Sequence, residues 1–219
     1  RFGRINKEVY MGDYRYKALQ NLTRARYFAV CNLVKEKQRF MNVLFKKYST
    51  MTQEKVFSDT FSTTALAVYD EFESAEALAK MDLQELTDFI MEKGKNRFPD
   101  PDSVAKAIQK AARSSYRLPK TVNDSVNQVL SISITSMKAL ESQIKEFDKA
   151  IAAQIELLPN VLTSIPGIGP VYSAGIMAEI GDINRFENHA QLAKYAGLAW
   201  TQYQSGSFEA QTTRLIRSG

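Results

Sequence analysis

Two short stretches near the C-terminal end carry residue types that could do chemistry. The first is Pro166-Gly167-Ile168-Gly169-Pro170, set between two apolar, helix-compatible runs. Two glycines around one apolar residue permit a tight turn at positive φ and let a ligand come close to backbone amides. Pro170 suits the first turn of a following helix, where no amide hydrogen is missed. Val171, Ala174, Ile176, Met177 and Ile180 continue with helical spacing to a stop at Gly181. The pattern is similar to a helix-hairpin-helix element, whose glycine-loop amides and helix N-terminus can hold a phosphate; Gly167, Ile168 and Gly169 are then the binding residues. A plain corner between two helices is the alternative reading.

The second stretch is Gln204-Ser205-Gly206-Ser207, expected in a loop. A serine beside glycine can present its hydroxyl to a large substrate, yet most Ser-Gly pairs are simply turns. An unactivated hydroxyl is also a poor nucleophile and needs a base, a metal or a cationic clamp. Lys194, Arg214 and Arg217 flank this stretch and could clamp a phosphate, with ordinary surface charge as the rival account. His189 is the sole histidine, so a Ser-His-Asp arrangement would depend on it alone. Its place early in a predicted helix favours surface or packing roles. Gly167-Ile168-Gly169 lacks the Gly-Lys-Ser/Thr of a nucleotide phosphate loop.

The rest of the 219 residues must position these stretches. Residues 14–47 read as one long helix without proline or glycine, with Leu19, Leu22, Ala29, Leu33, Phe40 and Leu44 on a coiled-coil stripe that Arg26 and Lys37 interrupt. Residues 122–158 read as a second, cleaner heptad seam: Val126, Leu130, Ser133, Met137, Leu140, Ile144, Phe147 and Ile151. Ser133 is its one polar member and a candidate for setting register. Similar lengths favour an antiparallel hairpin. Residues 50–118 read as short helices at its tip, with a capping box from Asp82, a C-cap at Gly94 and a further helix over 103–116. Asp82, Asp88, Asp100 and Asp102 match no metal-loop spacing, and caps or turns explain them more simply. The expected fold is all-α: a long antiparallel coiled-coil hairpin with a small helical insert, then a compact helical domain with the helix-hairpin-helix-like element. The boundaries are 1–48 for the basic first arm, 49–121 for the insert, 122–158 for the second arm and 159–219 for the C-terminal domain.

Charge narrows the partner. Residues 1–48 hold twelve Lys or Arg against three Asp or Glu, a net +9, whereas the remainder is net −4. That asymmetry points to an anionic partner, nucleic acid first, with Arg24 and Arg26 among the contacts. Tyr14, Tyr16 and Tyr27 could stack on bases or pack within the protein. A single cysteine, Cys31, excludes a disulfide framework and a cysteine-zinc cluster and fits a reducing compartment. No run approaches the roughly 18 apolar residues of a membrane span. The opening Arg1-Phe2-Gly3 and the end Arg217-Ser218-Gly219 suggest a piece of a longer protein.

Four blocks in order then carry a resemblance. They are Ser-Ile-Pro-Gly-Ile-Gly-Pro from Ser164, Ala-Glu-Ile-Gly-Asp-Ile-Asn-Arg-Phe from Ala178, Tyr-Ala-Gly-Leu-Ala from Tyr195, and Gln-Ser-Gly-Ser from Gln204. Together they resemble the C-terminal transposase domain of the insertion-sequence family numbered 110, the serine recombinases guided by a bridge RNA. The resemblance implies that Ser205 is the nucleophile toward DNA, with Ser207 its nearest competitor. It also implies a missing N-terminal RuvC-like domain whose acids bind Mg2+, so that this piece holds no cofactor of its own and does not recombine DNA alone. DNA, a guide RNA and further copies of the chain, as dimer or tetramer, are the expected partners. A bacterial or archaeal cytoplasm is the expected location. The alternative is a non-catalytic nucleic-acid-binding coiled-coil module in which Ser205 is only a turn residue.

Overall fold

The computed structural model describes residues 13–200, 214 and 215, and the backbone at 204–205 and 208–209. Nine α-helices occur among the described residues: α1 (Tyr14–Lys47), α2 (Ser49–Glu54), α3 (Thr63–Glu71), α4 (Ala75–Lys80), α5 (Leu83–Lys93), α6 (Pro101–Ser114), α7 (Lys120–Ile155), α8 (Pro170–Ile180) and α9 (His189–Tyr195). A short hairpin of β1 (Gln204–Ser205) and β2 (Phe208–Glu209) follows. No helix among the described residues is long and apolar enough to cross a membrane. The chain divides into two compact units, one of residues 25–149 and one of residues 1–24 with 150–219.

In the unit of residues 25–149, α1 and α7 run antiparallel. Arg26 meets Asp148 at 2.5 Å, Lys37 meets Glu141 at 3.4 Å, and the Ser133 hydroxyl donates to the Glu36 carboxylate. The two residues that break the α1 stripe are thus ion-paired to its partner helix. Each such partly exposed pair contributes at most about 1 kcal/mol, so they select register more than they stabilise. The stabilising weight sits in one apolar core, where Phe40, Leu44 and Tyr48 of the first arm and Val126, Leu130, Ile134 and Met137 of the second enclose residues of α3 to α6. The helices between the arms therefore share their core with the arms.

Local signals explain the short helices. Asp82 accepts from the amides of Gln84 and Glu85 and caps α5, and Asp100 accepts from Ser103 with Pro101 in the first turn of α6. That cap moves α6 two residues earlier than the hydropathy pattern suggests. Gly94 ends α5, but in right-handed geometry at φ −85°; the left-handed positions are Lys95 and Asn96. Their amides return to Glu92 and Met91, closing the helix end in a Schellman arrangement without a glycine in the left-handed place. Gly94 is small for another reason: a Cβ there would lie 2.7 Å from Phe98 Cδ2. Gly94→Ala should therefore lower stability by about 1–3 kcal/mol through overpacking. A urea midpoint equal to wild type would contradict this.

Candidate functional site

The unit that carries the C-terminal motifs has its own small core. Leu19 of α1 and Ile151 and Ile155 of α7 pack with Leu158, and with Ala174, Met177 and Ala178 of α8. Helix α8 buries this face because small and apolar residues recur at helical spacing, and Ser173 at its centre is fully buried. The Ser173 hydroxyl donates to Asn160 Oδ1 at 2.7 Å, and the same oxygen accepts the Leu162 amide at 3.1 Å. This pin fixes the chain just before the glycine corner. Nothing in the spacing of Asn160 and Ser173 announces it.

The corner itself is a three-residue 3-10 turn, Leu162–Ser164, then the glycines, then α8. Ile168 donates its amide to Ile165 across the bend. Gly167 has φ +90°, as a tight turn requires; Gly169 is extended at φ −78° and N-caps α8 without a side-chain bond. A Cβ added at either glycine would meet nothing within 4 Å, so packing inside the protein does not demand Gly169. Pro170 lacks an amide hydrogen, which leaves those of Gly169, Val171 and Tyr172 at an open helix N-terminus, the positive end of the peptide dipoles.

Ser205 stands differently from the loop expected of it. Its backbone belongs to β1, paired antiparallel with Phe208, while Gln204 pairs with Glu209. Paired backbone amides account for the difference, since a ladder bond satisfies them better than a loop. Gly206, Ser207 and Arg217 lie outside the described residues. Trp200 bridges Leu215, next to Arg214, which is exposed. Lys194 lies in the last turn of α9, and His189 is exposed at its first turn. Helix α9 ends at a left-handed glycine: Gly197 takes φ +72°, and its amide and that of Leu198 return to Lys194 and Ala193.

The cations of α1 are largely committed to partners. Arg24 makes a paired contact with Glu179 at 2.7 and 2.8 Å, and its guanidinium holds that carboxyl below the usual carboxylate range. Arg26 is held by Asp148, Arg15 by Asp13 and Arg39 by Glu36. Lys47, one of the basic residues spread along this helix, is 1% exposed and donates to the Tyr69 carbonyl. Lys35 and Lys46 remain exposed. Among the described residues, no group of three or more His, Cys, Asp or Glu could hold a metal ion.

Residues 160–219 match the Transposase IS116/IS110/IS902 family. The 44.8 kDa protein of insertion element IS116 from Streptomyces clavuligerus is 29% identical over 162 residues, 70% of this chain and 38% of the relative. The 43.6 kDa protein of insertion element IS110 from Streptomyces coelicolor is 33% identical over 113 residues, 45% of this chain and 28% of the relative. The chain thus spans well under half the length of either relative. No solved structure matches it significantly.

Proposed function

We propose, from the premise that this chain belongs to the IS116/IS110/IS902 transposase family, that it is part of a DNA transposase whose nucleophile is Ser205. The observation that carries this reading is the family match over 160–219, which takes in both the glycine corner and the Gln-Ser-Gly-Ser stretch. In the step itself, Ser205 Oγ bonds to a DNA phosphorus and loses its proton. The ester bond to the leaving strand's sugar oxygen breaks, and that oxygen takes up a proton. Serine then holds the strand covalently until the second strand's hydroxyl reverses the exchange. A guide RNA that selects the DNA, assembly as a dimer or tetramer, and Mg2+-binding acids from outside these 219 residues belong to the same reading. On this reading the 219 residues bind nucleic acid but do not recombine it alone.

The glycine corner acts as a helix-hairpin-helix-like grip on the DNA backbone. What supports this is the open, uncapped N-terminus of α8 and a Gly169 that the fold does not require. Lys194, Arg214 and Arg217, which flank the Ser205 stretch in the sequence, supply further positive charge, whereas Arg24 and Arg26 are paired with Glu179 and Asp148 and would have to exchange those partners to contact a phosphate.

The test is Gly169→Asp. Aspartate is a favoured N-cap, so α8 and the thermal midpoint should hold or improve. Its carboxylate occupies the place of the phosphate, so affinity of the 219-residue chain for duplex DNA should fall about tenfold or more. Unchanged affinity with an intact fold rejects the grip. Binding without any covalent joining by the full-length protein would favour the non-catalytic module instead.

A further inference from the structure

We propose that the depression formed by the start of α1 and the α8–α9 corner receives an unpaired base of a single-stranded nucleic acid. The inference rests on the reading that the protein binds nucleic acid, and it adds a separate site to the backbone grip. The depression measures about 730 Å³ and lies wholly within the C-terminal unit, in the size range of ligand clefts.

Its walls suit a flat aromatic ligand. The Arg185 guanidinium stacks 4.6 Å from the Phe186 ring centroid and 4.5 Å from that of Tyr195. The Tyr195 hydroxyl donates to the Glu179 carbonyl at 3.0 Å, which fixes the ring. Opposite this wall in the sequence, Tyr14 opens α1 with 85% of its surface exposed, so packing does not account for it. Gly181, at φ +70°, leaves the floor without a side chain, and a Cβ there would meet nothing within 4 Å.

Charge makes the site cationic rather than neutral. Both lining carboxylates are engaged from outside the depression, Asp13 by Arg15 at 2.5 Å and Glu179 by Arg24 at 2.7 Å. Those two arginines balance the lining carboxylates, and Lys17 adds an ammonium to the wall. Exposed aromatic faces beside a guanidinium and an ammonium are the combination on which unstacked bases settle while their phosphate is neutralised. A duplex buries its base faces in its own stack and cannot offer one, which selects a single strand.

The probe is a short DNA single strand with 2-aminopurine at one position, together with its RNA counterpart and a matched duplex, each titrated with the 219-residue chain. Stacking quenches 2-aminopurine, so wild type should deepen the quench of the single strand and leave the already stacked duplex's dim emission unchanged. Tyr14→Ala should remove most of the quench and weaken single-strand binding about tenfold. Tyr14→Phe, which keeps the ring, should behave as wild type. Because Tyr14 is exposed, neither change should shift the thermal midpoint. Full quench and affinity in Tyr14→Ala overturn the proposal, as does wild-type binding that leaves the base bright. If wild type binds no nucleic acid of any form, the nucleic-acid reading itself fails, and the base site with it. The DNA and RNA arms separate the two sources of the strand.

Discussion

Ser205→Ala is expected to abolish the covalent protein–DNA link and to lower strand transfer by the full-length protein about 10³-fold or more, with DNA affinity retained. In the proposed step the hydroxyl oxygen is the atom that bonds to phosphorus, so nothing else in the side chain could take over its part. Alanine is compatible with the extended backbone that pairs Ser205 with Phe208, which makes the loss chemical and not structural. Ser205→Cys keeps a nucleophile of different size and pKa and should retain a fraction of the activity. Ser207→Ala should remain active. Strand transfer that survives in Ser205→Ala and is lost in Ser207→Ala would reassign the nucleophile; survival in both would remove serine chemistry from this stretch.

Stability of the chain is expected to rise between about pH 8 and pH 10 and to fall above it, and Lys47 is the cause of the rise. Its side chain is 1% exposed, its Nζ donates to the Tyr69 carbonyl at 2.8 Å, and it lies 5.1 Å from the Tyr48 ring centroid. Burial pushes its pKa down from 10.5 to about 8, against the opposing pull of Asp70 and Glu73. Below pH 8 both states carry the charge, and the folded state bears the whole cost of burying it. Between the folded and unfolded values the folded state has shed the proton and the unfolded state still holds it, so stability climbs with pH, by about 3 kcal/mol at most.

The decline at higher pH has a different source. Burial raises the phenols of Tyr48 and Tyr69, so the unfolded chain ionises first and gains on the folded one. Lys47→Met should erase the rise and leave the decline. Near pH 7 the lost charge burial and the carbonyl left without its donor, worth about 1–3 kcal/mol, work against each other. Urea midpoints followed by circular dichroism from pH 7 to pH 11 read all of this. A wild-type profile flat from pH 8 to pH 10 would contradict it.

The two long helices were legible because their signal is repetition. Val126, Leu130, Ser133, Met137 and Ile151 keep a heptad step without a slip, and all five are buried. The interruptions in the first stripe were legible as interruptions only. That Arg26 and Lys37 answer Asp148 and Glu141 depends on residues over a hundred positions away. The same limit explains the basic arm. A count of lysines and arginines registers charge and not its partners, so it could not show Lys47 buried under Tyr69 or Arg24 held by Glu179. Local rules did better where the chemistry is local: Asp82 and Asp100 cap, Pro170 opens α8 and Gly197 closes α9. Gly94 caps α5 as read, but it stays right-handed, and its small size answers to the Phe98 ring, which no local rule could show. In the candidate site, the glycine corner was readable from five consecutive residues. The aromatic depression was not, because Tyr14, Gly181, Arg185 and Tyr195 meet only after α1 and α8 have packed.

The most direct test of the account is to trap the full-length protein on DNA, digest the adduct with protease and nuclease, and locate the residual nucleotide by mass spectrometry. A phosphoester on the peptide containing Ser205, at its hydroxyl, is the expected result. An adduct on any other residue, or strand transfer with no protein-linked intermediate, would contradict it.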